Sequence, residues 1–161
     1  MNRSKAGISP VMATVILVAI AIVIAIAVAF WATGLVGIFT RFEKVEVRAA
    51  YAEVSTSDTS PSYVINLDIA NTGSADVVID DIYINGKPSS AYADVDIQFG
   101  GGCSALGEEG GTVSLKAGEV MENTCTITVA SGTAPFTSGT TIEVAVHTGT
   151  GKLYPAAVLL P

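Results

Sequence analysis

Charge is missing from the longest uninterrupted stretch of this sequence: no Asp, Glu, Lys or Arg lies between Lys5 and Arg41. Such a stretch cannot form the wet surface of a soluble domain and must be covered by protein or lipid. Histidine occurs once, at His147, which excludes multi-histidine metal and catalytic sites. Cysteine occurs twice, and the flanks GGGCSALGEEGG and ENTCTITVA lack the CxxC spacing of a zinc site. Basic residues are few. All 15 acidic residues lie from Glu43 onward, and from Arg41 to the last residue six basic residues face fifteen acidic ones, a net charge of −9. This acidity speaks against a nucleic-acid partner, whose phosphates need a basic face. There is no GxSxG, HExxH or Walker loop, so the chain is read as a non-enzyme without cofactor or metal.

The charge-free stretch runs Ile8 to Thr40, ISPVMATVILVAIAIVIAIAVAFWATGLVGIFT. As a helix it would be about 50 Å long at 1.5 Å per residue, where a bilayer core needs about 20 residues. In lipid a single spanning segment must be helical to satisfy its own backbone. Ser9 suits an N-cap, and Pro10 suits the first helical position. The helix is expected to continue through Arg41, Phe42 and Glu43 to about Val47, so the chain divides into residues 1–7, 8–48 and 49–161. The apolar run is more than twice the core of a secretory signal peptide, and no A-x-A site follows it. Ala21, Ala25, Ala29, Thr33 and Gly37 recur every four residues. A stripe of small residues lets helices approach closely in lipid, although Ala-rich spans that associate with nothing are also common.

The stretch Arg3-Ser4-Lys5-Ala6-Gly7-Ile8-Ser9-Pro10-Val11-Met12-Ala13-Thr14-Val15-Ile16-Leu17-Val18-Ala19 resembles the N-terminus of archaeal type IV pilins. The resemblance covers about the first 40 residues, roughly a quarter of the chain. It rests on a bundle of features: a basic leader, a small residue, Ser-Pro-Val and a long uncharged helix. It implies cleavage between Gly7 and Ile8 by a prepilin-type, class III signal peptidase on the cytoplasmic side. Lys5 would be the basic position before the cut, Ala6 and Gly7 the end of the leader, and Ile8, Ser9 and Pro10 the start of the mature subunit. Further implied partners are copies of the chain itself in a helical homopolymer, a pilus assembly ATPase and a membrane platform protein. The cytoplasmic membrane would hold the subunit before assembly. Bacterial type IV pilins carry a glutamate five residues into the mature chain; here that position is Met12, which argues against a bacterial-type pilin and against registration through that glutamate.

After Arg48 the periodicity changes. In Ser62 to Ala70, SYVINLDIA, Ile65, Leu67 and Ile69 alternate with Asn66 and Asp68, the pattern of a half-buried strand. Asn71-Thr-Gly73 reads as a turn. Val77 to Ile84 reads as a strand ending in Asn85-Gly86, a strong hairpin signal because both residues tolerate positive φ. Further strands are expected at Asp94 to Phe99, Thr112 to Leu115, Cys125 to Val129, Thr140 to His147 and Leu153 to Leu160. Pro155 makes the last an edge strand or interrupts it. Segments 55–62 and 100–111 read as loops. The fold class is therefore α+β: a long N-terminal hydrophobic helix followed by an antiparallel, immunoglobulin-like β-sandwich. The expected core is Val64 or Ile65, Leu67, Ile69, Val77, Ile79, Ile82, Ile84, Leu115, Ile127, Val129, Ile142, Val144, Val146 and Leu153. Phe42, Val45, Val47 and Tyr51 are expected to dock the helix end onto this sandwich.

If the acidic domain is exported, Cys103 and Cys125 favour a disulfide over two buried thiols. Asp76, Asp80 and Asp81, and Asp94 with Asp96, lack EF-hand spacing and read as solvated strand ends. Dense Ser and Thr after Ala49 admit O-glycosylation or ordinary strand and loop positions. The preferred reading is a structural subunit of a cell-surface adhesion filament. The alternatives are a membrane-anchored binding module and an archaellin-like subunit of a swimming filament.

Overall fold

The computed structural model describes residues 10–57, 60–132 and 134–161. The chain divides between Arg41 and Phe42 into two compact units. The first holds helix α1, Pro10–Phe39, 30 residues without a charge. The helix is described from Pro10 onward. Its last backbone bond runs from Thr40 N to Val36 O, 3.2 Å.

The helix therefore ends about eight residues before the expected Val47. Residues 45–57 are instead strand β1, Val45–Ser57. The reason is non-local. β1 pairs antiparallel with β2, Ser60–Asn71, from Val45 opposite Asn71 to Ser57 opposite Ser60, with one register shift between Val47 and Ala49. A ladder of that length outweighs the modest helix preference of Ala49, Ala50 and Ala52. The expected loop 55–62 is accordingly a hairpin whose strands reach Ser57 and resume at Ser60. Val45 is a core residue of the sandwich, while Phe42 and Tyr51 are half-exposed.

The remaining strands are β3 (Val77–Ile84), β4 (Lys87–Pro88), β5 (Ile97–Gly101), β6 (Val113–Leu115), β7 (Cys125–Ala130), β8 (Thr141–Thr148) and β9 (Leu153–Leu159). They form two antiparallel sheets. One has the order β1-β2-β7-β5; the other has β4-β3-β8-β9, with β6 also paired to β3. Lettered A to G along the chain, these are the A-B-E-D and C-F-G sheets of an immunoglobulin-like sandwich, widened by β4 beside C. β9 lies at the edge of its sheet, where Pro155 is tolerated opposite Ala145. Asn85 (φ 48°) and Gly86 (φ 75°) make the expected hairpin turn between β3 and β4.

The core lies between the sheets. Ile65, Leu67 and Ile69 of β2 and Ile127 and Val129 of β7 face Ile79, Ile82 and Ile84 of β3 and Val144 and Val146 of β8, all within 1% of full burial. Of the choice Val64 or Ile65, Ile65 is inside. Leu153 is not: it is 47% exposed, and Val158 and Leu160 carry the inward face of the last strand. Phe136 is fully buried from a loop and meets Tyr92 edge to face at 5.7 Å.

Cys103 and Cys125 form a disulfide. Ordinary immunoglobulin domains link B to F across the sheets. Here Gly101 pairs with Cys125, so the bond staples the end of edge strand β5 to β7 within one sheet. Between the two cysteines the chain leaves that sheet, forms β6 against β3 in the other, and returns.

Candidate functional site

α1 is the feature that packing within this chain leaves unexplained. None of its 30 residues is buried. Its large apolar side chains, from Val11 to Phe39, are 40–79% exposed. A helix at the surface of a soluble domain carries one apolar stripe and one polar face. α1 has apolar residues on every side, and its length and composition suffice to cross a membrane. Its few hydroxyls are satisfied internally: Thr14 donates to Val11 O at 2.8 Å, and Thr33 to Ala29 O at 2.8 Å. No polar group on these side chains therefore calls for water.

The expected packing residues Ala21, Ala25, Ala29, Thr33 and Gly37 all lie on α1 and all are exposed. Four residues span 400°, so successive members shift by about 40° and the stripe winds slowly round the helix. A Cβ added at Gly34 or Gly37 would meet nothing within 4 Å. A glycine inside a helix costs about 1 kcal/mol relative to alanine, and no neighbour within this chain needs the space. Of the expected processing residues, Pro10 lies on α1; Lys5, Ala6, Gly7, Ile8 and Ser9 lie outside the described residues.

The chain enters the sandwich through a short anchoring segment. Ser74 Oγ accepts from Phe42 N at 3.1 Å, and Phe42 O accepts from Ser74 N and Ala75 N. Lys44 O accepts from Thr72 N and Gly73 N. A Cβ on Gly73 would lie 2.5 Å from Phe42 O and 2.6 Å from Lys44 N, so only glycine admits this approach. Asn71 holds the turn from below. Its side chain is buried; Nδ2 donates to Ala75 O (2.8 Å), Lys116 O (3.0 Å) and Leu115 O (3.1 Å), and Oδ1 accepts from Gly73 N. On the opposite sheet Glu43 bonds Thr150 Oγ1, with Lys152 Nζ at 3.8 Å. Lys44 lies 2.5 Å from Glu46 and, by hydrogen bond and then by charge, holds that exposed carboxyl below the usual carboxylate range. The sequence marked 71–73 as a turn without showing what the turn grips.

The acidic residues spread out. Asp80 bonds His147 Nδ1 at 2.5 Å, Asp81 accepts from Ser89 Oγ at 2.7 Å, and Asp76 accepts from Ala117 N at 3.0 Å. Asp94 and Asp96 line an open groove of about 550 Å³ with Ser89, Tyr92, Phe99 and Leu106. Tyr92 donates to Ile84 O at 2.8 Å, and burial pushes its phenol above the ordinary tyrosine range. Among the described residues no three His, Cys, Asp or Glu side chains gather as metal ligands.

No family model and no curated protein matches this chain.

Proposed function

We propose that the chain is the structural subunit of an archaeal type IV pilus, made as a membrane-anchored precursor and polymerised through α1 into a surface filament for adhesion. The observation that carries this reading is a 30-residue helix, apolar on all sides and with no buried residue, joined to a separately folded acidic sandwich. Such a helix is insoluble alone. It must stay in lipid or be surrounded by other apolar surface, and copies of itself supply that surface on every side.

Three further observations support it. The basic leader and Ser-Pro-Val motif resemble those of archaeal type IV pilins. The glycines of α1 are unused within the chain and favour close helix–helix approach. The disulfide fits a domain matured outside the reducing cytoplasm. Self-association through a helix that leaves both ends open gives a filament rather than a closed ring. In this reading the prepilin-type peptidase frees Ile8, and the assembly ATPase and platform protein move subunits from membrane to filament.

Electron microscopy of sheared cell-surface material, with mass spectrometry of the subunit N-terminus, tests it. Filaments whose subunits begin at Ile8 are expected. Membrane monomers beginning at Met1, with no filament containing the chain, would overturn the proposal.

A further inference from the structure

We infer that lipid takes only residues 10–31 of α1, with Trp31 seated at the outer headgroups, and that residues 32–39 stand clear of the hydrocarbon; the inference rests on the membrane-anchored precursor proposed for this chain. α1 is longer than the layer it would cross. Its 30 residues measure about 45 Å at 1.5 Å per residue, against a hydrocarbon core of about 30 Å. Tilt does not absorb the surplus. Fitting about 45 Å into about 30 Å needs a tilt of about 48°, whereas spanning helices tilt by roughly 0–40°. At the average tilt of about 20° the core takes about 21 residues. Roughly nine residues of the helix then lie outside it.

The surplus can stand at either end, and the side chains select the end. Tryptophan gathers at membrane–water interfaces, where its ring meets acyl chains and its N–H meets headgroups or water. The chain has one tryptophan, and it is on α1. Residues 10–29 hold no aromatic side chain, and Phe30 and Trp31 follow directly. The aromatic-free run has the length of a bilayer core, about 20 residues. Hydrocarbon over residues 10–30 therefore brings the indole to the outer boundary. Hydrocarbon over residues 19–39 would instead hold the indole within about 3 Å of the bilayer centre at 1.5 Å per residue, and would leave the apolar run 11–18, VMATVILV, in water.

Polarity agrees with the first placement. Residues 11–18 contain one threonine and no glycine, whereas 32–40 contain Thr33, Gly34, Gly37 and Thr40. Arg41 follows at once, about 15 Å beyond Trp31 for a helical rise, so its charge lies well outside the hydrocarbon. In a lone membrane-bound copy Leu35, Val36, Ile38 and Phe39, 40–79% exposed, then face headgroups and water instead of acyl chains. Lipid thus covers about two thirds of the helix and leaves its glycine-bearing third outside.

The full chain reconstituted in phosphatidylcholine vesicles tests this placement, with Trp31 as the sole indole reporter. Lipids brominated near the headgroup should quench its fluorescence more strongly than lipids brominated near the end of the acyl chain. Thiol labelling gives a second readout, because Cys103 and Cys125 are bonded and the chain has no free cysteine. With a membrane-impermeant maleimide, Ile38→Cys should label to the same extent as Ser90→Cys, an exposed position of the sandwich that marks outward-facing copies. Ile20→Cys should label only after detergent is added. Stronger quenching from the deep bromines, or an Ile38→Cys thiol protected until detergent is added, would overturn the placement and leave the membrane-anchored reading intact. A tryptophan quenched by neither lipid would show a chain outside the bilayer and overturn that reading itself.

Discussion

Valine, isoleucine and leucine dominate both α1 and the inner faces of the sandwich, yet their surroundings are opposite. In α1 Ile22 and Ile24 are more than half exposed; in the sandwich Ile65, Ile82 and Ile127 have no exposed surface. The sandwich completes itself: two sheets supply each other's apolar cover, so its core can be read from one chain. None of the residues of α1 is buried, and on the filament reading its cover comes from lipid or from other copies of the chain. The same residue types thus build a core in one region and, on the filament reading, an association surface in the other.

A charge at the centre of α1 attacks the association side alone and gives the largest effect. Ala25→Asp costs about 2.5–3.5 kcal/mol for membrane insertion, so the chain should fall in membrane fractions and be lost from filaments. Ala25→Leu, which keeps insertion but fills the stripe, should leave membrane levels unchanged and reduce filaments. Equal filament yield from Ala25→Leu would remove the stripe from the contact.

Leu67→Ala attacks the self-contained side. Leu67 is fully buried, so the loss is about 2–5 kcal/mol, read as a lower denaturation midpoint of the sandwich, with helix insertion unaffected. Replacing both Cys103 and Cys125 by serine removes a cross-link spanning 22 residues and should cost about 3 kcal/mol. Chemical denaturation with and without reductant measures it; a wild type insensitive to reductant would show that the bond carries no stability.

Asn71→Ala removes the donor that serves Ala75, Leu115 and Lys116 carbonyls. The expected loss is about 1–3 kcal/mol, with amide exchange quickening first at Thr72–Ala75, where the anchoring segment is held. The smallest effect is at Tyr92. Its folded phenol titrates above the unfolded value near 10, so the neutral form is favoured by folding. Its contribution is fully present below about pH 10 and is lost as pH rises through the unfolded and then the folded value. Tyr92→Phe should flatten that alkaline decline in a pH series of thermal melts, and an unchanged slope would assign the decline to other groups.

Much of the sandwich was legible because its signals are local. Ile65, Leu67 and Ile69 alternate cleanly with polar neighbours, and Asn85-Gly86 requires positive φ at both residues. β1 was not legible. The bulge between Val47 and Ala49 shifts its register, breaking the alternation, and its strand state depends on a partner that comes later in the chain. The side of Leu153 was unreadable because LYPAAVL is apolar at nearly every position, so nothing marks inward from outward. Phe136 was missed because it reaches the core from a segment without periodicity. The stripe of α1 was visible as spacing, whereas only the structure settles which alternate residues of β9 face out.

The anchoring segment at residues 42–44 also bears on where the chain leaves the sandwich. Phe42 and Lys44 are held by backbone and side-chain bonds to residues 72–75 of the sandwich. The clasp that holds Phe42 and Lys44 is thus made of residues of the sandwich itself, and it fixes where the apolar segment must leave the folded domain.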